Sequence, residues 1–323
     1  MFMLENVIKD RVLDAKCRSR FILGTWGLSG EGARPNFSYG ETSESTMYQV
    51  LDLAWESGLR CLDTAWSYGD GVGLRRIARW QKSAGVEWNI IAKLGRKKPD
   101  VSRFDLPSLK ILMEEYFFYE ELLGSPKTIL IKDPPVSSYK NGSLDELICH
   151  FEKAIDDANF GVASHHPELI SFLNEGQRPR IAQVELNGIN RALSVPAVRT
   201  IDAKLRNWKV WSMQPLAYGF ISDPDRIFKN SDWRFRISDQ SQQTFRAFSR
   251  LFRSRLEKLL PEVDPTVSAI AYCLSVPGID RTVIGPKNCQ QLKSSLSALQ
   301  LLDDQVVRER LHSLIETEFP KGV

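Results

Sequence analysis

The sequence predicts an α/β protein, with the (β/α)8 architecture of a TIM barrel as the fold class. Eight short apolar runs recur along the 323 residues, and most of them end on a polar residue or a glycine. Most runs are separated by segments whose apolar residues repeat every three to four positions, as along an amphipathic helix. Strand–helix alternation repeated eight times over this length is typical of the barrel. A doubly wound parallel sheet shares the alternation and is the alternative.

The predicted strands are short and apolar, as buried parallel strands are. In chain order they are FILGTWG (21–27), GLRCLDTA (58–65), WNIIAKLG (88–95), TILIKDP (128–134), NFGVASH (159–165), RIAQVELN (180–187), KVWSMQPL (209–216) and RTVIGPK (281–287). Ligands of α/β folds bind at the carboxyl ends of such strands. The residues that end these runs are therefore the first candidates for chemistry.

Capping signals locate several of the predicted helices. Segment 43–58 begins with a Ser/Thr/Glu cluster that can cap a helix and ends at Gly58, a stop signal. A second helix is predicted to start at Ser143, with Glu146 at the capping-box position three residues on. Near the C-terminus, periodic segments predict helices at 243–260, 266–276 and 303–316.

The chain shows no linker-like or low-complexity tract, so we interpret residues 1–323 as one domain. Two longer insertions follow predicted strands. Segment 28–44 is glycine-rich, and segment 221–241 is polar, aromatic and basic. In a barrel, both are expected to lie over the C-terminal face.

Composition and charge narrow the class of protein. The formal net charge of +3 is small and evenly spread, which argues against nucleic acid as a partner. No apolar run approaches the roughly 20 residues that span a bilayer, and the N-terminal residues lack the apolar core of a signal peptide. Five cysteines without a C-x-x-C pair argue against a disulfide framework or a structural zinc site. The expected location is the cytoplasm, with no membrane partner.

Three charged residues end predicted strands: Asp63, Lys93 and Lys132. Burying an ammonium without a partner is expensive, and Asp63 is the obvious partner of Lys93 because consecutive barrel strands lie side by side. Such a pair can be purely structural. Tyr68 favours a catalytic role, because a phenol has an ordinary pKa of about 10 and needs a nearby cation to become a useful acid. The Lys93 ammonium is expected to make Tyr68 a proton donor to a carbonyl oxygen.

These residues carry a resemblance to a known family. GLRCLDTAWSYGDG (58–71) followed by IIAKLG (90–95) resembles the aldo-keto reductase signature, in which an aspartate, a tyrosine five residues later and a lysine on the next strand form most of a catalytic tetrad. Four further segments resemble the family in the same order, namely FILGTWGLSG, IAQVELNGINR, PLAYGFIS and RTVIGPKNCQQLKSSLSAL. The resemblance implies a (β/α)8 barrel that transfers hydride from NADPH without a metal.

The resemblance also implies roles for individual residues. The tetrad positions are matched by Asp63, Tyr68 and Lys93. Gln183 matches the residue that hydrogen-bonds the nicotinamide carboxamide, while Leu216 and Gly219 fall on the loop along the cofactor pyrophosphate. The positions that hold the adenosine 2′-phosphate and adenine are matched by Lys287, Asn288 and Gln291. A lysine there favours NADPH over NADH, because its point charge suits a phosphate.

The sequence departs from the family pattern at four places. Lys132 stands where the tetrad has a histidine at the end of the fourth strand. Ser164 ends the segment that matches Gly-Val-Ser-Asn, which weakens the expected grip on the carboxamide. Met213 occupies the position of the aromatic residue that stacks on the nicotinamide, although Trp211 points the same way along the strand. Ser295 replaces an asparagine in the helix that holds the adenosine.

Lys132 allows three interpretations. As a cation it can orient a substrate oxygen and further acidify Tyr68. Beside Lys93 it can instead lose its proton and attack a carbonyl to form a Schiff base. It can also bend away and pair with Asp133 or a loop acid. The pair at 165–166, two histidines, is a further candidate for the missing imidazole, although tandem loop histidines more often face solvent or cap a helix.

The leading hypothesis is an NADPH-dependent reductase that acts on a carbonyl, imine or activated double bond of a small-molecule substrate, with Tyr68 as the acid. Two alternatives stay open. One is a barrel recruited for lyase or isomerase chemistry through Lys93, Lys132 and Tyr68, and the other is a cofactor-binding regulatory protein with little turnover.

Two basic stretches, 95–100 and 225–236, are either solvated loops or contacts to cofactor phosphates or an anionic substrate. The sequence identifies neither the substrate nor the oligomeric state.

Overall fold

A computed structural model describes residues 20–30, 38–95, 105–155, 157–165, 180–189 and 208–316. Within these ranges the dominant feature is a sheet of eight parallel strands that pair in chain order and close when the last strand pairs with the first. The strands are β1 Phe21–Gly24, β2 Cys61–Ala65, β3 Asn89–Leu94, β4 Thr128–Lys132, β5 Asn159–Ser164, β6 Arg180–Glu185, β7 Trp208–Met213 and β8 Ile279–Ile284. All eight predicted strands are present. The barrel prediction is confirmed, and the doubly wound alternative is wrong because the sheet has no open edge.

Helices cover the outside of this barrel. In the described ranges they are α1 Glu44–Glu56, α2 Val72–Ala84, α3 Leu109–Leu123, α4 Val136–Lys140, α5 Ser143–Ala154, α6 Asp239–Leu259, α7 Pro265–Ser275, α8 Cys289–Leu301 and α9 Gln305–Glu316. The connections after β5 and β6 lie largely in 166–179 and 190–207, outside the described residues. None of the helices described is both long enough and apolar enough to cross a bilayer.

Two helix starts show how well caps can be read from sequence. Ser43 caps α1 by accepting a hydrogen bond from the Thr46 N–H, and Gly58 follows its end with φ 85°, as predicted. The predicted start of α5 at Ser143 is confirmed, but the expected capping box is absent, because Gly142 occupies the cap position with φ 78°. The Asn141 side-chain oxygen accepts hydrogen bonds from both the N–H and the hydroxyl of Ser143. Ser143 is thereby drawn into the first helical turn.

The strands divide their side chains between two apolar layers. A large layer lies between sheet and helices, and a smaller cluster fills the barrel interior. The interior cluster consists of Ile22, Ile91, Leu130, Ala163, Ile181, Trp211, Met213 and Val283. Because side chains alternate along a strand, the residues two positions beyond Ile91, Leu130 and Ile181 also point inward, at the carboxyl ends of their strands.

The two predicted insertions meet over the carboxyl ends of the strands. The backbone N–H of Trp233 donates a hydrogen bond of 3.0 Å to the Ser38 carbonyl oxygen, which connects the loop after β7 to the loop after β1. Trp26 stacks on Trp233 and on Tyr68, with ring centroids 5.7 and 6.2 Å apart. The described parts of both insertions therefore cover one face of the barrel, as predicted.

Gly161 provides a test of barrel closure. It lies in β5 opposite Ile181 of β6, and a Cβ at this position would overlap the Ile181 carbonyl oxygen. We expect Gly161→Ala to lower the free energy of unfolding by about 2 kcal/mol or more, since backbone atoms of a closed barrel cannot move aside cheaply. Urea denaturation measures the change. Gly285→Ala is the matched control, because a Cβ there meets no atom within 4 Å. Equal losses in the two variants would contradict the close β5–β6 approach.

Candidate active site

A buried ion pair lies at the carboxyl ends of β2 and β3. Lys93 Nζ is 3.0 Å from Asp63 Oδ1, and the two side chains are only 5% and 2% exposed. The register pairs Lys93 with Ala65, so the lysine reaches diagonally across the strand boundary to Asp63. Two isolated charges at this depth would cost several kcal/mol each, and pairing offsets much of that cost. The predicted partnership of these two residues is confirmed.

Tyr68 completes a chain of three contacts. Lys93 Nζ donates a hydrogen bond of 3.3 Å to the Tyr68 hydroxyl oxygen. A turn after β2 carries the phenol back over the strand ends: the Tyr68 N–H bonds to the Ala65 carbonyl, and Gly69 follows with φ 64°. A side chain at Gly69 would also press on the carbonyl oxygens of Ser29 and Gly30, at the start of the first insertion. The glycine-rich segment after Tyr68 therefore allows the backbone to adopt the left-handed conformation that this turn requires.

The expected acidification of Tyr68 by Lys93 is wrong in direction. Burial, followed by the negative charges of Asp63 and Asp133, raises the pKa of Tyr68 well above its ordinary value of 10.0. The physical reason is that the loss of solvent dominates, and the Asp63 carboxylate beside Lys93 places a negative charge near the phenol that also opposes its ionisation. The phenol keeps its proton at neutral pH and is available as a donor.

Gln183 approaches the ion pair from the opposite side of the barrel. Its Nε2 donates a hydrogen bond of 2.9 Å to Asp63 Oδ2. Its Oε1 is buried and has no hydrogen-bond partner among the residues that the structure describes. If the amide were turned over, Oε1 would face the Asp63 carboxylate and the two oxygens would repel each other. The amide nitrogen is therefore the atom that faces Asp63. An unpartnered buried carbonyl oxygen costs about 1–3 kcal/mol, and it is an acceptor suited to an amide donor from a ligand.

Lys132 lies over the ring of Tyr68. Its Nζ donates a hydrogen bond of 3.0 Å to Ser67 Oγ and lies 5.1 Å from the centroid of the Tyr68 ring. The side chain shares the inward face of β4 with Leu130. Of the three interpretations, the geometry places the amine beside the candidate proton donor, where it can contact a substrate oxygen bound at Tyr68.

A second polar group surrounds His165 at the ends of β5 and β6. His165 Nδ1 is 3.4 Å from Glu185 Oε2, and its backbone N–H donates to Asp133 Oδ1 at 3.2 Å. Glu185 also accepts hydrogen bonds from the Tyr218 hydroxyl and the Asn187 amide. His166, the other histidine of the predicted pair, lies outside the described residues. Within the described ranges no group of three or more His, Cys, Asp or Glu side chains could hold a metal ion.

The sequence interpretation missed Glu185, although a simple signal could have found it. Glu185 follows Gln183 by two positions in the same strand, and alternate residues share a face.

The same rule applied to Ser164 argues against its predicted role. Its neighbour Ala163 is in the interior cluster, so Ser164 shares the outward face of Val162, which packs in the outer layer.

Met213 and Trp211 occupy different depths of the barrel. Both side chains belong to the interior cluster, and Met213 is the last residue of β7. Trp211 Nε1 donates to Asp280 Oδ2 at 3.1 Å, near the start of β8. Trp211 therefore lies toward the amino-terminal end of the barrel, away from Tyr68, and cannot substitute for the missing aromatic residue at the mouth.

The loop after β7 has a strained backbone. Three non-glycine residues, Gln214, Ala217 and Tyr218, have φ between 45° and 58°, and Gly219 follows with φ 89°. Each non-glycine residue in this region costs of order 1 kcal/mol. The buried Arg234 stabilises the loop: it donates to the Tyr218 carbonyl and makes a two-point contact with Asp232. Leu216 and Gly219 thus lie on a loop that basic segment 225–236 supports. The other basic stretch lies almost entirely outside the described residues.

The residues predicted to hold the adenosine lie together at the start of α8. Asn288 caps the helix by accepting from the Gln291 N–H at 2.9 Å, and Gln291 Oε1 accepts from the Lys287 N–H at 2.8 Å. Lys287 Nζ donates to the Tyr39 carbonyl at 2.7 Å, and burial lowers the pKa of this lysine. Ser295 Oγ bonds to the Gln291 carbonyl one turn later. The structure brings these residues together while engaging each of them in local contacts.

Comparison with known proteins supports the fold alone. No protein-family model and no curated protein matches the sequence. Among solved structures, the glycerol dehydrogenase AKR11B4 from Gluconobacter oxydans is 16% identical with a TM-score of 0.65, covering 94% of this chain and 95% of that one. The aldo-keto reductase AKR11C1 from Bacillus halodurans, in its holo form, is 15% identical with a TM-score of 0.66, covering 94% of both chains. This chain therefore has the (β/α)8 fold of the aldo-keto reductases.

Proposed function

We propose that this protein is an NADPH-dependent oxidoreductase that reduces a carbonyl group of a small molecule. The observation that carries the proposal is the buried contact chain Asp63–Lys93–Tyr68 beside the unpartnered oxygen of Gln183. A proton donor (Tyr68), a cation (Lys93) and an amide oxygen that can accept a hydrogen bond (Gln183) meet there. They lie at the carboxyl ends of the neighbouring strands β2 and β3 and of β6 on the opposite side of the barrel.

The proton is handled by the residues of this chain. Tyr68 holds a proton at neutral pH and donates it to the substrate oxygen as that oxygen gains charge. Lys93, hydrogen-bonded to the Tyr68 oxygen, stabilises the phenolate that remains, and Asp63 keeps Lys93 in place. Lys132, over the same ring, supplies a second positive charge that stabilises the negative charge developing on the substrate oxygen.

The residues present fit a nicotinamide cofactor. Gln183 Oε1 is an orphaned acceptor for the carboxamide N–H, and the inward-facing Met213 offers an apolar surface at the same mouth. Lys287 at the start of α8 supplies positive charge where a helix N-terminus also favours an anion. When bound, the cofactor supplies the hydride. The two structural neighbours, a glycerol dehydrogenase and an aldo-keto reductase, share this barrel fold, which is consistent with an oxidoreductase function.

Cofactor choice is expected to depend on Lys287. Replacing Lys287 with Met removes a charge that suits the 2′-phosphate, so NADPH affinity should fall about tenfold or more while NADH affinity changes little. Quenching of tryptophan fluorescence during titration with each nucleotide measures both. Lys293→Met, at an exposed position of the same helix, is the matched control. Absence of NADPH binding to the unaltered protein would instead favour lyase or isomerase chemistry.

The role of Tyr68 is expected to appear in turnover and not in cofactor binding. Tyr68→Phe keeps the ring and removes the donor, so NADPH-dependent reduction of an aldehyde panel should fall roughly 10²–10⁴-fold. NADPH affinity, followed by the same fluorescence titration, should be unchanged. Tyr48→Phe alters a hydroxyl that bonds to Glu44 on α1 and serves as control. If the wild-type protein binds NADPH without reducing any aldehyde, the regulatory alternative is favoured.

A further inference from the structure

Helix α3 places two buried polar side chains on the helix side of the candidate active site, and the proposed reaction uses neither of them. Glu115 and Tyr119 are one helical turn apart and are 1% and 0% exposed. Tyr119 packs in the outer apolar layer. Burying a carboxylate or a phenol hydroxyl costs free energy unless polar groups bond to it. The groups that these two side chains contact therefore indicate what the pair does.

The Tyr119 hydroxyl connects the carboxyl ends of β2 and β3. It lies 3.4 Å from both the Thr64 carbonyl oxygen on β2 and the Lys93 carbonyl oxygen on β3, so these two acceptors share its proton in a three-centre hydrogen bond. The backbone N–H of Trp66 faces the same hydroxyl as a hydrogen-bond donor. Burial, followed by the charge of Glu115, raises the pKa of Tyr119 well above its ordinary value of 10.0. The phenol therefore keeps the proton that it donates.

Glu115 holds the backbone just beyond Lys93. Its Oε2 accepts a hydrogen bond of 2.7 Å from the Gly95 N–H, which is buried. Gly95 has φ 101°, at the point where the chain leaves β3. Hydrogen bonds from a backbone N–H to a carboxylate are among the stronger ones in proteins. Lys93 is thus held at its own carbonyl oxygen by Tyr119 and two residues later by Glu115.

The backbone that Tyr119 contacts carries the candidate catalytic residues. Thr64 directly follows Asp63, and Trp66 precedes Tyr68 by two positions. Since the same hydroxyl also bonds to the carbonyl oxygen of the lysine in this contact chain, Tyr119 meets backbone within two residues of all three members. One phenol oxygen therefore fixes how the end of β2, the turn after it and the end of β3 lie relative to one another.

We infer that Tyr119, supported by Glu115, is a positioning residue that sets the contact between Lys93 and the Tyr68 hydroxyl. This contact of 3.3 Å joins a side chain from β3 to one from the turn after β2, so its length depends on how those two segments are held. A misplacement of about 1 Å at reacting groups can cost roughly 10²-fold in rate. Tyr119 acts through the backbone and not on the substrate. This inference rests on the proposed reductase function.

Tyr119→Phe tests this role, because it keeps the buried ring and removes the hydroxyl. We expect the single-turnover rate constant of the NADPH-loaded protein to fall about tenfold, as expected for a misaligned proton donor. The probes are propanal, benzaldehyde and glyceraldehyde, and the factor should be the same for each aldehyde that the unaltered protein reduces, because all of them use one donor. Stopped-flow absorbance of NADPH measures the rate. NADPH affinity, from tryptophan fluorescence, should stay within about twofold, because the hydroxyl lies on the helix side of the sheet.

A solvent isotope effect separates positioning from a loss of folded protein. A misaligned donor makes proton transfer limit the rate more strongly, so the ratio of the rates in H₂O and D₂O should rise by roughly twofold in Tyr119→Phe. A smaller folded fraction lowers the rate and leaves this ratio unchanged.

Tyr116→Phe is the matched control. Tyr116 is a buried tyrosine of the same helix whose hydroxyl bonds to Glu120 Oε1 at 3.1 Å, so the same chemical change there should leave both the rate and the isotope effect unchanged. An unchanged rate in Tyr119→Phe, or a lower rate with an unchanged isotope effect, overturns this inference alone. Absence of NADPH oxidation by the unaltered protein with every aldehyde overturns the proposed function together with it.

Glu115→Gln carries the test if Tyr119→Phe does not fold. Glutamine keeps an oxygen that can accept from the Gly95 N–H and loses the charge that strengthens this bond, so the rate should fall about threefold with a rise in the isotope effect. An unchanged rate in this folded variant overturns the inference.

Discussion

The Asp63–Lys93 ion pair is the constraint around which the mouth of the barrel is organised. Neither charge reaches solvent, so each needs partners that remain fixed. Lys93 has Asp63 and the Tyr68 hydroxyl, and Asp63 has Lys93 and the Gln183 amide. These contacts connect the adjacent strands β2 and β3 with β6, which lies on the opposite side of the barrel. Closure of the sheet sets β6 opposite β2, so the assembly of the site depends on the closed barrel.

Polar and apolar side chains are separated by depth along the inward faces of the strands. Below lie Ile91, Leu130 and Ile181, in the apolar interior cluster. Two residues further along the same three strands lie Lys93, Lys132 and Gln183. The apolar layer excludes water beneath the charges, which strengthens their interactions and raises the cost of any unpaired group. This arrangement also explains why burial dominates the pKa of Tyr68.

The loops over the mouth contain strained backbone that side-chain contacts hold in place. The segment after β7 holds several left-handed residues, and Arg234 secures it through Tyr218 and Asp232. Trp233 and Trp26 pack across the two insertions and cover Tyr68. Strained backbone persists only where surrounding contacts over-determine it. The bonds of Arg234 and the aromatic packing supply those contacts on the side of the mouth where Leu216 and Gly219 lie.

Sequence reasoning succeeded where the physics is local. All eight strands follow from short apolar runs, and the Asp63–Lys93 pair follows from strand adjacency, because consecutive strands of a (β/α)8 barrel are neighbours. It failed where one local signal competed with another: at Ser143, the Asn141–Gly142 turn took over the cap. The depth of Trp211 in the barrel lay beyond sequence reasoning, because it depends on the contact with Asp280 of β8.

By itself, then, the sequence determined the barrel, the inward residues of each strand and the pairing of adjacent charges, since periodicity and chain order specify these. The tertiary structure decided what depends on contacts between distant segments. Gln183 meets Asp63 across 120 positions of the chain, and His165 lies between acids from two other strand ends. The direction of the Tyr68 pKa was also decided there, because desolvation depends on everything packed around a group and not on its nearest charge.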